Sequence, residues 1–142
     1  MKKFTDEFME IANELYRGVS KCKTEYLVRE GFRIGTARRY SEMDKPDDLK
    51  NTTIEMVELL TKAIAKAEES DIDKRFEQFV DQAFQFIDKV PRSELANQTP
   101  FSSSMISNIK NNGREHNYQT AKFLKIADIA YIISEDMEGE EN

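Results

Sequence analysis

The sequence predicts an all-α chain of about eight helices. Three observations carry that expectation. Apolar residues recur at helical spacing in several long stretches. No alternating strand pattern stands out. The breaks between stretches hold the signals of helix ends: hydroxyl caps, glycines and prolines.

The first helix should run from about Thr5 to Val19, with Phe8, Ile11, Ala12, Leu15, Tyr16 and Val19 on one stripe. A short helix over about Lys23–Glu30 ends at Gly31, suited to a left-handed cap. Another covers about Gly35–Met43. The segment D-K-P-D-D-L-K-N then reads as a loop around Pro46. Thr52 or Thr53 caps the next helix, which carries Ile54, Val57, Leu60 and Ile64; Glu55 is spaced for a capping box with Thr52.

Residues 68–75, E-E-S-D-I-D-K-R, are the most polar interruption and place a boundary near residue 69. The following helix, about Asp73–Val90, aligns Phe76, Phe79, Val80, Ala83, Phe84 and Ile87. Phenylalanine at this density reads as core. A final helix over about Gln119–Ser134 carries Phe123, Ile126, Ala127, Ala130 and Ile133. Residues 1–69 and 70–134 thus form two units, and the acidic tail 135–142 reads as disordered.

Between the last two long helices lies the most informative stretch, residues 92–112. A short helix with Leu95 and Ala96 stops at a turn around Pro100. Ser102 stands in an N-cap position. A second short helix buries Ile106 and Ile109 while Ser103, Ser104, Ser107, Asn108 and Lys110 face outward. Small hydrogen-bonding groups with a cation suit phosphates and base edges in a major groove. The pattern is a helix-turn-helix.

The 142 residues carry a net charge of −6, unevenly spread. Residues 17–40 carry +5 and 89–125 carry +4, against −5 for 68–88 and −6 for 126–142. The net charge argues against a nonspecific nucleic-acid coat, but two basic islands in an acidic background leave two cationic surfaces for a phosphate backbone. Cys22 is the single cysteine, so disulfide frameworks and thiolate metal clusters are excluded within one chain. No apolar run reaches membrane-spanning length and the N-terminus lacks a signal-peptide core, so the expected location is cytoplasmic, away from membranes.

The two halves also match in pattern. Setting Phe32 against Phe101 gives an offset of 69, which pairs Ala37 with Ile106 and Tyr40 with Ile109. Beyond the loop an offset of 67 pairs Thr53 with Thr120 and Val57 with Leu124.

The second copy resembles the lambda-repressor/Cro-like (Xre-type) helix-turn-helix family. That family's core reads approximately E-L-A-x-x-x-G-[VI]-S-x-x-x-[IV]-S-x-[IWF], then a polar loop and an L-x-K-I-A helix. Here E-L-A-N-Q-T-P-F-S-S-S-M-I-S-N-I spans 94–109 and F-L-K-I-A-D spans 123–128. The resemblance covers about residues 76–133, with Pro100 where the family usually has glycine. The first copy resembles the family more weakly over about residues 5–66: it keeps Gly31 but has Ile34-Gly35 where a cap serine is expected.

The resemblance implies tandem helix-turn-helix units whose third helices enter the major groove. It puts Ser103, Ser104, Ser107 and Asn108 near base edges, with Lys110, Asn111 and Arg114 toward phosphates and Arg92 anchoring the second helix. In the first unit the equivalents are Arg33, Thr36, Arg38 and Arg39, with Lys23 at its second helix. The expected function is a sequence-specific double-stranded DNA-binding transcriptional regulator, of the kind carried by phages and mobile elements. A homodimer is expected, with Tyr131, Ile132 and Ile133 extending a contact surface.

The alternative partner is a protein: the −6 charge and acidic tail also suit an inhibitor or antirepressor built on this scaffold. An enzyme is not expected. His116 is the only histidine, no nucleophile or ligand spacing surrounds it, and no metal or cofactor motif is present in the sequence.

Overall fold

The computed structural model describes residues 2–113 and 117–141, and the fold over them is all-α. The helices are α1 (Lys3–Lys21), α2 (Thr24–Arg29), α3 (Ile34–Ser41), α4 (Ile54–Glu68), α5 (Ile72–Lys89), α6 (Arg92–Gln98), α7 (Ser103–Asn112) and α8 (Thr120–Glu141). Elements expected from apolar spacing are all present, with ends displaced by a few residues.

Three features differ from expectation. The segment read as a loop contains a 3₁₀ helix over Pro46–Asn51, begun by proline at its first turn and pinned by the fully buried Leu49. It packs on α1 and α8. Secondly, α8 continues through Glu141, so residues 135–141 extend a helix instead of forming a loose tail. The chain was already helical and packed through Ser134, and propagating a formed helix costs far less than starting one. Thirdly, the surface expected for dimer contact is largely internal: Ile133 is buried and Tyr131 stacks edge-on against Phe4 and Phe86, leaving Ile132 exposed.

The core runs through both halves as one apolar cluster. Phe4 meets Phe79 with ring centroids 5.9 Å apart and Phe86 at 5.7 Å, both edge-on, so α1 and α5 are joined by aromatic packing. Each such ring contributes roughly 2–3 kcal/mol of gross burial. The turn between α4 and α5 takes a left-handed residue, Glu69 at φ 52°, and Ser70 N–H donates to the Ala65 carbonyl. That turn coincides with the expected boundary, yet the core crosses it.

The helix order and the packing of the long helices match between the two halves. Buried positions of α1 recur in α5 sixty-eight residues on: Phe4 with Ile72, Phe8 with Phe76, Ile11 with Phe79, Ala12 with Val80, Leu15 with Ala83 and Val19 with Ile87. Packing obeys the same exchange. Helix α1 contacts α4 and α8, while α5 contacts α8 and α4; α1 touches α3 as α5 touches α7.

At the centre, residues 52–54 and 118–120 form an isolated antiparallel bridge. Ile54 N–H donates to the Tyr118 carbonyl at 2.9 Å and Thr120 N–H to the Thr52 carbonyl at 2.8 Å. Exchanging residues 66 apart turns one bond into the other. The offset after the loop is therefore 66 rather than the expected 67, and the bridge sets it: apolar side chains alone allowed a neighbouring register.

Candidate nucleic-acid interface

Helices α6 and α7 meet across a turn built without left-handed backbone. Pro100 fixes its own φ, so the cap falls to Thr99, which is extended. Its Oγ1 donates to the Leu95 carbonyl at 2.8 Å and accepts the Phe101 N–H at 3.4 Å. Ser102 then caps α7, its Oγ accepting the Met105 N–H at 3.2 Å. Leu95, Ile106 and Ile109 face the core.

This arrangement leaves Ser103, Ser104, Asn108 and Asn111 exposed along α7. Two of the expected contacts are engaged internally. The Arg92 guanidinium, at the start of α6, donates to Ser107 Oγ at 2.9 Å and locks the two helices together. Lys110 is drawn back under α7: its Nζ donates to the carbonyls of Ile87 at 2.8 Å and Asp88 at 3.4 Å. It thereby caps the C-terminus of α5, where a cation is favoured by the orphan carbonyls. Burial pushes this ammonium below its ordinary lysine value, against an opposing pull from Asp88. The Lys110 ammonium is thus bonded to the end of α5. Arg114, expected nearby, and His116 lie outside the described residues.

The α2–α3 pair solves the same turn differently. Gly31 takes φ 108°, which only glycine adopts without strain, and Phe32 N–H closes the turn on the Leu27 carbonyl at 3.0 Å. Thr24 Oγ1 and Ser41 Oγ share a hydrogen bond of 2.8 Å, joining the far ends of the pair. Tyr40 stacks edge-on against Phe32 at 6.1 Å, and its hydroxyl pairs with Thr52 Oγ1 at 2.6 Å, so α3 is tied to the central bridge.

On the outer side, Arg33, Arg38 and Arg39 are exposed, and no described carboxylate forms a salt bridge with them. The Arg39 guanidinium lies 5.4 Å from the centroid of the Tyr40 ring, which orients it without neutralising it. Lys23 is exposed as the residue before α2, and Thr36 is half-buried. One exposed residue was not anticipated: Ile34 is 63% exposed at the first position of α3, beside Val28, Thr24 and Arg38. The available signal was an isoleucine at the position that holds Ser103 in the second half.

At an offset of 69, Ile34 corresponds to Ser103, Gly35 to Ser104, Arg38 to Ser107 and Arg39 to Asn108. Helices α3 and α7 thus present unlike chemistry at these positions. A cavity of about 540 Å³ lies between the end of α3 and the start of α4, lined by Arg39 and Tyr40 but also by Glu42, Asp44 and Asp48. Among the described residues no helix is long and apolar enough to cross a membrane. Comparison with protein-family models, characterised proteins and solved structures finds no match for the chain.

Proposed function

We propose that the protein is a sequence-specific double-stranded DNA-binding regulator whose third helices, α3 and α7, enter the major groove. The observation that carries this reading is the uncommitted outer face of each helix. Arg33 just before α3, Arg38 and Arg39 on α3, and Ser103, Ser104, Asn108 and Asn111 on the Ser102-capped α7 are exposed. Arginine supplies the salt-dependent attraction to phosphates, and the hydroxyl and amide groups supply hydrogen bonds to base edges. The lambda-repressor-like motif at 94–109 supports the same assignment.

Retention of a randomised duplex pool by the full chain, at a low and a physiological salt concentration, tests the reading. The expected result is enrichment of one motif with affinity falling steeply as salt rises. Absence of retained duplex at low salt overturns it. The second reading, a protein-binding inhibitor on the same scaffold, is favoured by the net charge of −6 and by Glu42, Asp44 and Asp48 beside Arg39. That outcome directs the search to a basic protein partner.

A further inference from the structure

We infer that a single chain reads one asymmetric duplex site, with a guanine-containing half under α3 and an adenine-containing half under α7. This rests on the DNA-binding reading and extends it to stoichiometry and base preference.

The first part follows from the exchange of packing between the halves: α1 contacts α8 and α3 as α5 contacts α4 and α7, and the two hydrogen bonds of the bridge at residues 52–54 and 118–120 exchange in the same way. An operation that swaps the halves in this manner is a two-fold, which would make α3 and α7 equivalent elements about the bridge. Tyr40 ties α3 to that bridge through Thr52 at 2.6 Å. Duplex DNA has its own two-fold axes perpendicular to its length, and paired helix-turn-helix units use them by placing one recognition helix on each half-site. Here both helix pairs belong to one chain with a continuous core, so the paired arrangement exists before any second copy arrives. The C-terminal surface offered for self-association is reduced: Ile133 is buried and Tyr131 is partly buried against Phe4, leaving Ile132 exposed.

The second part follows from chemistry at matched positions. Arg39 and Asn108 correspond under the repeat and both are exposed. Arginine pairs bidentately with the O6 and N7 acceptors of guanine, whereas asparagine pairs with N6 and N7 of adenine. Beside them the sequence diverges again. Ile34 projects an apolar side chain suited to a thymine methyl, while Ser103 offers a hydroxyl. Two copies of one chain sharing a site would read the same half twice. One chain with unlike halves reads a site that is not a palindrome.

The test selects duplexes from a random pool with the full chain, counts chains per selected duplex by native mass spectrometry, and repeats the selection with Arg39→Asn. We expect a non-palindromic motif, one chain per duplex, and a change from guanine to adenine at one position in the variant. The preference at that base pair should move by at least about tenfold, the other half remaining as before. A palindromic motif bound by two chains overturns the single-chain inference but leaves DNA binding intact. A motif unmoved by Arg39→Asn overturns the base assignment. No enrichment by the wild-type chain overturns the DNA-binding reading itself, and the inference with it.

Discussion

Asp128 of α8 caps the first turn of α1, accepting the Phe4 N–H at 2.6 Å from 124 residues away in sequence. The same oxygen accepts the Thr5 N–H at 3.2 Å, and the second oxygen accepts the Thr5 hydroxyl at 2.5 Å. Helix α1 has no side-chain cap of its own, since Lys2 occupies that position. A carboxylate at a helix N-terminus satisfies orphan donors and the dipole together. With Asp128 only 7% exposed, water cannot replace it freely. Asp128→Ala should cost about 2–3 kcal/mol in urea denaturation, and Asp128→Asn less. A loss below about 0.5 kcal/mol for the alanine variant would show that the contact does not hold the two halves together.

Gly18 lets α1 approach α4. A Cβ added there would lie 2.5 Å from Ile64 Cγ2, closer than real contacts allow. Alanine gains up to about 1 kcal/mol in helix propensity over glycine, but overpacking costs about 1–3 kcal/mol. We expect Gly18→Ala to lower stability by about 1 kcal/mol, the difference between those terms. Combined with Ile64→Ala, which removes the clashing methyl, the loss should fall short of the sum of the single losses. Simple additivity in that double-mutant cycle would place the cost elsewhere.

Glu69 is the one described non-glycine residue at positive φ, at 52°. A left-handed L-residue costs roughly 1–2 kcal/mol, part of which glycine recovers against its larger unfolded-state entropy. Glu69→Gly should therefore raise stability by about 0.5–1 kcal/mol, read as a shift in the urea midpoint without a change in slope. A decrease would mean that the turn depends on the glutamate side chain.

The long-helix frame was legible because Phe8, Phe76, Phe79 and Ile126 repeat at helical spacing, and burial follows that spacing. Ser102 and Gly31 were legible as a cap and a turn for stereochemical reasons. What stayed hidden depends on distant partners. Asp128 reads as one more polar residue on α8 until the start of α1 is seen against it. Leu49 looked like a loop leucine because a 3₁₀ turn of six residues has too little periodicity to show. Lys110 had the spacing of an outward cation, but its long stem reaches the carbonyls ending α5.

That Lys110 contact carries a pH dependence. Burial depresses the folded-state pKa below the ordinary 10.5, so the unfolded chain binds more protons between the two values. Stability from this group therefore rises as pH climbs through the window just below 10.5, once the buried charge is lost. Lys110→Met should cost about 1 kcal/mol near neutral pH through the two lost carbonyl bonds. The variant should also lack this alkaline rise, so the stability difference between wild type and variant grows with pH. A difference that stays flat or shrinks would place the ammonium in water.

The two outer faces can be separated by salt. Arg38→Ala with Arg39→Ala removes two exposed cations from α3, while Ser104→Ala with Asn108→Ala removes neutral hydrogen-bonding groups from α7. If the proposed function holds, the arginine pair should weaken binding to all duplexes and reduce the slope of log affinity against log salt by up to about two. The serine–asparagine pair should leave that slope alone and cost about 1–3 kcal/mol of discrimination at each base it reads. Both variants keep their buried residues and caps, so helical content should match the wild type by circular dichroism. Should only the α7 pair change binding, α3 is a scaffold and its arginines serve another contact.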